Sequence, residues 1–319
     1  MIITKLHGGL GNQLFQYAIG RQLAIRNSSE LKLDISPFRD YKLHKYAIHH
    51  FNVNATLATE SEVAAYRALR NPPLGSRAFA ALSRFFHSLT GQPACVTPTA
   101  LIHAHRSRRY VVEGPLIFQP QIPDLPDNTY LDGYWQDERY FRDIASTIRH
   151  EFTVNTPPTP ENVDLAQMIA SVESVSVHVR RADYVTNPST MAFHGVCRQS
   201  YYATCVSSVL HRVPNAHFFV FSDDPAWAKA HLALGGPATF VSANNADSNY
   251  EDLRLMSLCH HHITANSSFS WWGAWLNTRP DKIVLCPENW LVNKQSGLQE
   301  IAPPAWERVA NGDERTGPS

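Results

Sequence analysis

Apolar positions along the chain fall into two rhythms. Short apolar or alternating runs predict strands at Ile2–Leu6, Leu31–Ile35 and Thr129–Gln136. Leu14, Phe15, Ala18, Ile19, Leu23 and Ile25 recur at helical spacing, after a turn at Gly8–Gln13. The first forty residues therefore read as one βαβ unit. Residues 61–90 have helical character, broken at Asn71–Gly75. Residues 91–128 read as loop, punctuated by Pro93, Pro98, Pro115, Pro120, Pro123 and Pro126. Asp137 is expected to cap a helix running to about His150.

The stretch TVNTPPTPEN at 153–162 holds three prolines within four residues, which remove backbone donors and disfavour helix. It predicts a domain boundary. Beyond it the rhythm is regular. The strands VSVHV, HFFVFS, TFVSA, ITAN and KIVLC alternate with helices at 198–213, 223–233, 250–261 and 267–277. Asp223 or Asp224 is expected to cap the second of these helices, with Pro225 in its first turn. Strands alternating with helices predict parallel, doubly wound sheets. The expected organisation is an α/β domain over 1–155, a second over 156–290 and a terminal tail over 291–319. Such sheets bind ligands beyond the carboxyl ends of their strands, so function is expected on the residues that follow each strand.

Composition narrows the function. A chain of 319 residues can bury a core without staples, and 44% hydrophobic against 18% charged residues excludes a disordered chain. Lys+Arg and Asp+Glu are each 28, which argues against nucleic-acid binding through a bulk basic surface. The five cysteines are scattered with no C-x-x-C pair, the pattern of a reducing compartment. The N-terminus lacks the pattern of a signal peptide, and no run approaches the ~20 apolar residues of a membrane span. A cytoplasmic protein is expected.

Four places carry candidate chemistry. Gly8-Gly9-Leu10-Gly11-Asn12-Gln13, between a strand and a helix, could bring backbone N–H groups to an anion. With Asp34 ending the next strand it could also hold a dinucleotide, as in an NAD-dependent oxidoreductase; Leu14, where that pattern needs glycine or alanine, argues against it. A tight turn with no ligand is the plain alternative. His178, Arg180, Arg181 and Asp183 follow VSVHV directly. Adjacent guanidiniums suit a phosphate, and the alternative is an internal ion pair with Asp183. Asp223 and Asp224 follow HFFVFS and suggest a metal-binding pair, although at least one is better explained as a helix cap. Asn266, Ser267 and Ser268 precede a helix and suit a second phosphate or a ribose, with Phe269 facing a base or sugar and Trp271, Trp272 and Trp275 in the core. Cys259 and His262 have a zinc-compatible spacing but no second pair of ligands, so no metal site is expected.

In order and spacing, GGLGNQLFQYA, LDGYWQDERYF, HVRRADYV, FVFSDDPAW and DLRLMSLCHHHITANSSFSWWGAWLN resemble the motifs of the bacterial α-1,2-fucosyltransferases. Ala182 departs from a glycine common in that family, Leu14 from a frequent methionine, and His260-His261 from Lys-His. The resemblance implies a GT-B fold, two Rossmann-like domains with parallel sheets facing across a cleft, the first on the acceptor side. It implies an inverting transfer of fucose, without a metal cofactor, from GDP-fucose to a hydroxyl of an oligosaccharide or lipid-linked glycan, expected to be O2 of a galactoside. Loose attachment to the inner membrane face would suit a lipid-linked acceptor. By motif position Arg180 would bind the pyrophosphate, with Arg181 beside it, and His178 would lie near the guanosine. Asp252 would accept hydrogen bonds from guanine. Asn266, Ser267, Ser268 and Phe269 would contact phosphate and nucleoside; Gly9, Gly11 and Asn12 would approach the phosphates and fucose. Asp223 is placed with the donor site. Asp183 is the first candidate for a base on the acceptor hydroxyl, ahead of His194 and Glu251. Another GDP-deoxysugar as donor, or a non-catalytic glycan-binding relative, are the competing readings.

Overall fold

The computed structural model describes residues 1–41, 43–70, 101–105, 108–114, 117–181, 184–185, 187–291 and 301–311. The helical character expected over 71–90, Ala182 and Asp183 lie outside the described residues. Two compact units are formed: Met1–Gly8, Gln13–Tyr46 and Asn54–Ala145 in the first, and Gly9–Asn12, Ala47–Val53 and Ser146–Ser319 in the second. The proline-rich stretch at 153–162 thus lies inside the second unit. There Thr159 caps a helix that opens with Pro160, accepting a hydrogen bond from Asn162 N.

The first unit is built on the strands β1 (Ile2–Lys5), β2 (Leu31–Asp34), β3 (Thr56–Leu57), β4 (Leu101–His105), β5 (Arg108–Val112) and β6 (Thr129–Asp132). They lie in the order β3-β2-β1-β6-β5-β4, parallel throughout except for the β4–β5 pair. The β4–β5 hairpin falls where the sequence reads as loop; its pairing with β6 is long-range and leaves no local signature. Helix α1 (Leu10–Arg26) starts four residues earlier than its apolar period suggests, so Gly11 and Asn12 form its first turn. Within the turn between β1 and α1 the glycine with positive φ is Gly8, at 80°. Ile3, Val63, Tyr66, Tyr110 and Tyr130 form a core on this sheet, Val63 and Tyr66 coming from α2 (Glu60–Arg70). Asp137 caps only a 3-10 turn at Glu138–Tyr140. A second 3-10 turn and α3 (Ala145–Glu151) follow, because Phe141 leaves helical geometry at φ −140° to enter the core.

The second unit follows its predicted alternation. Its strands are β7 (Ser174–Val179), β8 (His217–Ser222), β9 (Ala238–Phe240), β10 (His261–Ile263), β11 (Val284–Pro287) and β12 (Glu307–Val309). All pair in parallel, in the order β12-β11-β10-β7-β8-β9. Numbered from β7 this is 3-2-1-4-5-6 reversed, the Rossmann arrangement, and its topological switch point lies between β7 and β10. Every residue of β7 is buried, as helices on both faces of a parallel sheet require. The helices are α4 (Pro160–Ser171), α5 (Pro188–His194), α6 (Gln199–Arg212), α7 (Pro225–His231), α8 (Asn249–Leu258) and α9 (Ser268–Leu276). The segment read as a terminal tail supplies β12, an edge strand of the sheet. The expected α/β fold, with two parallel-strand sheets, is borne out.

Candidate active site

The switch point gathers the ends of β7, β8 and β10. Arg180 follows β7 and pairs through Nη1 with Asp223 Oδ2 at 2.9 Å. The Arg181 N–H donates to Asp223 Oδ1 at 2.8 Å, so one carboxylate aligns both arginines. The Arg181 guanidinium lies 4.1 Å from the Trp227 ring centre, with Nε 3.5 Å from Asp224 Oδ2. Its place is largely structural. Asp224 accepts from Trp227 N at 3.1 Å and caps α7. The two acids therefore divide their work: Asp224 is the cap and Asp223 the arginine partner. The ion-pair alternative named Asp183, which lies outside the described residues; the acids that the two arginines meet are Asp223 and Asp224.

His178 is 6% exposed, and its Nδ1 has no hydrogen-bond partner among the described residues. Burial, then the charge of Arg180, pulls its pKa down to about 3, so the imidazole is neutral. Its ring centre lies 5.6 Å from that of Phe269 in the first turn of α9, joining the end of β7 to that helix. Tyr184 makes a second link. Arg180 lies 5.2 Å from its ring centre, its hydroxyl donates to Asn266 O at 3.5 Å, and His194 stacks on it at 4.8 Å.

The N-terminus of α9 is heavily constrained. Ser267 caps it, accepting from Phe269 N at 3.3 Å. Ser268 Oγ donates to Asn12 Oδ1 at 2.8 Å, and Trp272 Nε1 donates to Gly11 O at 2.9 Å. A Cβ on Gly11 would lie 2.5 Å from Ser268 C and 2.6 Å from Phe269 N. Gly11 is thus required by close packing of two helix starts, which directs two partial positive charges to one place. Asn266 is 1% exposed, and its Nδ2 donates to the carbonyls of His194, Gly195 and Trp290 at 2.9, 3.3 and 3.4 Å. The sequence reading made it a ligand contact; its amide is spent on the chain and fixes the loop geometry instead.

Asp252, in α8, accepts from Asn244 Nδ2 at 2.7 Å, and Asn244 exchanges amide hydrogen bonds with Asn162. Burial pushes its pKa up to about 6. His50 stacks on Tyr250 at 3.8 Å between ring centres and contacts Thr156 Oγ1 through Nδ1. Sequence reasoning missed Asn162, Asn244 and His50, whose roles depend on partners more than 80 residues away. Glu251 is buried, 3.5 Å from Arg254, whose guanidinium also binds Thr156 O; this pairing is structural.

Asp34 accepts from Tyr130 Oη at 2.5 Å, Arg67 Nη2 at 3.0 Å and Ser36 N at 2.9 Å, all within the first unit. That removes the ribose contact of the dinucleotide alternative. His262 lies in β10 between Ser176 Oγ and Asn277 Nδ2, each at 2.8 Å. Among the described residues no group of three His, Cys, Asp or Glu is placed to hold a metal ion, and no helix is long and apolar enough to cross a membrane.

Comparison with known proteins converges on one family. Residues 1–310 match the family described as Glycosyl transferase family 11. The chain is 30% identical to an α-1,2-colitosyltransferase of Escherichia coli, covering 97% of this chain and 99% of the relative. It is 31% identical to the O-antigen biosynthesis glycosyltransferase WbnK of Escherichia coli, over 92% and 96%. Galactoside α-(1,2)-fucosyltransferase 2 of Sus scrofa is 22% identical over 59% of this chain and 62% of its own. With its two Rossmann-like sheets and a family match over nearly its whole length, this chain is a glycosyltransferase and belongs to family 11.

Proposed function

We propose that the protein is an inverting α-1,2-fucosyltransferase that moves fucose from GDP-fucose to O2 of a galactoside in a glycan acceptor. The observation that carries this reading is the meeting of Arg180 with the start of α9 through Tyr184 and the His178–Phe269 contact. A guanidinium and a helix N-terminus suit a nucleoside diphosphate. As the bond from the anomeric carbon to the phosphate oxygen breaks, its electron pair stays on GDP. Arg180 and the α9 N–H groups then stabilise the added charge, so the reading needs no divalent metal. The acceptor hydroxyl attacks the opposite face of the sugar, and Asp183 receives its proton. His178, neutral and buried, and Asp252, with its carboxylate facing guanine N–H donors, complete the nucleoside end. Ser267 and Ser268 shape the phosphate end through the cap and Asn12. The linkage draws support from two relatives whose names specify α-1,2 transfer.

A second reading concerns the donor sugar. The colitosyltransferase relative aligns along almost the full chain, which favours another GDP-deoxysugar. Colitose is fucose without its 3-hydroxyl, and a site that binds that hydroxyl rejects the analogue lacking it strongly. The experiment follows GDP release from GDP-fucose and from GDP-colitose, with a chelator and a panel of β-galactosides, in the native chain and Arg180→Ala. Acceptor-dependent release from GDP-fucose that survives chelation and collapses in the variant is the expected result. Release from GDP-colitose alone transfers the assignment to the second reading. Loss of activity on chelation overturns the metal-free mechanism, and absence of both release and GDP-induced thermal stabilisation overturns the donor class.

A further inference from the structure

The second sheet opens at its switch point, and the opening takes the ladder donors away from two strand-end carbonyls. The pairing of β7 with β10 ends at Val177–Ile263. In that register the next donor to His178 O would be Ala265 N. This N–H turns instead to Ser270 Oγ, at 3.2 Å. On the other side of β10, Thr264 N donates to Leu285 O at 2.9 Å. The next donor in register, to Thr264 O, would come from position 287. Pro287 has no N–H to give. His178 and Thr264 are both buried, and a buried carbonyl left without a donor is costly.

Two adjacent tyrosines of α6 supply the donors. Tyr202 Oη donates to His178 O at 3.1 Å, and Tyr201 Oη donates to Thr264 O at 2.6 Å. Neighbouring helix residues point about 100° apart. The two rings lie 74° apart in plane, so one turn of α6 reaches two strand ends. Tyr201 Oη also lies 3.4 Å from Leu285 O, which ties β11 to the same point. Both rings are buried in the core of the second unit. Each bond is made just ahead of the candidate site. His178 stands two residues before Arg180, and Thr264 leads into Asn266, Ser267 and the start of α9. The two segments that flank the switch point are therefore held from behind by buried hydroxyls.

We propose that Tyr201 and Tyr202 are positioning residues of the transfer reaction: Tyr202 sets the end of β7 and with it Arg180, and Tyr201 sets the end of β10 and with it the start of α9. The proposal rests on the glycosyl-transfer reading above and deepens it, by assigning what holds its two anion-binding elements in place. Each hydroxyl acts through a backbone carbonyl. A group displaced by about 1 Å in an active site can lose on the order of a hundredfold in rate, so this control matters to the chemistry.

The test removes one hydroxyl at a time from the full chain, as Tyr201→Phe and Tyr202→Phe. Val209→Ala serves as the reference for lost stability, since Val209 is buried on the same helix and in the same core. Amide hydrogen exchange at residues 178–181 and 264–269 is followed by NMR, alongside kcat, GDP affinity and Tm. Tyr202→Phe is expected to speed exchange at 178–181 about tenfold, the factor for one lost hydrogen bond, and to leave 264–269 native. Tyr201→Phe does the reverse. Both variants lower kcat about ten- to a hundredfold. Val209→Ala lowers Tm, changes the two segments alike and leaves kcat and GDP affinity native. In an Arg180→Ala background Tyr202→Phe weakens GDP binding no further, because it acts through that arginine, whereas Tyr201→Phe still does. Tyrosine variants that behave as Val209→Ala in every readout, or a full additional loss from Tyr202→Phe on Arg180→Ala, overturn the proposal. The exchange measurement needs no nucleotide. It decides the positioning even where a missing GDP-induced thermal shift in the native chain shows that the donor reading has failed.

Discussion

At the scale of single residues, the site is organised by who pairs with whom before any substrate arrives. Asp223 holds Arg180 by its side chain and Arg181 by its backbone. Asp223→Ala is therefore expected to lower kcat/KM, but by less than the roughly 100- to 1000-fold loss from Arg180→Ala. The double variant should be no worse than Arg180→Ala alone, because Asp223 acts through that arginine; steady-state kinetics of the four proteins checks the cycle. Asp252 gives a pH prediction. Its pKa rises from 3.8 to about 6 in the folded chain, chiefly through burial, so between those values the native state binds more protons than the unfolded one. Its contribution to stability therefore falls as pH rises through that window. Asp252→Asn should melt higher than native at pH 7, and the difference should vanish below pH 4. GDP affinity should climb through pH 6 in the native chain and stay flat and weaker in the variant, as read by calorimetry. Arg180 was legible because paired guanidiniums at a strand end need an anion or an acid. Asn266 was not, since its amide is directed by carbonyls at 194, 195 and 290 that only the fold brings together.

At the scale of elements, the informative contact is the packing of the first turn of α1 on the first turn of α9. Three groups enforce it: Gly11 by having no side chain, Asn12 by accepting from Ser268, and Trp272 by donating to Gly11 O. Gly11→Ala forces a Cβ against backbone atoms that cannot rotate away. Overpacking of this kind costs about 1–3 kcal/mol, so a drop in Tm of several degrees is expected. Gly273→Ala is a useful contrast. Its Cβ would meet Met256 Cβ at 2.9 Å, an atom that no rotamer change moves, and the movable Sδ at 3.2 Å; the overlap is milder than the 2.5 Å at Gly11, so the loss should be smaller. Differential scanning fluorimetry with and without GDP measures both, and Gly11→Ala should also weaken the GDP shift. The helix with a polar cap followed by proline at Asp224-Pro225 was readable because the capping chemistry is local; the same chemistry at Thr159-Pro160 was hidden by the proline cluster around it, which reads as a boundary that disfavours helix. The glycine turn was readable only as a turn. Its sequence says that backbone approaches something closely, and the partner, another helix, is 256 residues away for the Asn12–Ser268 bond.

At the scale of the whole molecule, the alternation of strands and helices announced two α/β sheets, and the regular second half even showed the βα rhythm of a Rossmann unit. The order of strands within a sheet is a different kind of information. Neighbours such as β7 and β10, or β11 and β12, are set by long-range pairing, which periodicity does not encode. The end of the chain shows the consequence most clearly. Its proline-containing composition reads as a tail, yet β12 pairs in parallel with β11, Arg212 Nη1 meets Glu307 Oε1 at 2.5 Å, and Asn311 exchanges hydrogen bonds with the backbone of Asn289. Trp271 Nε1 donates to Ile301 O at 2.9 Å, and the Trp306 ring lies 5.6 Å from that of Trp271, in the helix that begins at Ser268. The segment that leads into the terminal strand thus packs on the back of α9, the helix whose N-terminus is proposed to hold the nucleotide. Ending the chain after Glu300 should expose the β11 edge, leave Trp271 without its acceptor and abolish the GDP-induced thermal shift. Ending it after Asn311 keeps each of these contacts and should leave GDP stabilisation and transfer rates native. Equal GDP shifts in the two truncations would show that β12 contributes nothing to the site, and that the phosphate end of α9 is held by Gly11, Asn12 and Ser267 alone.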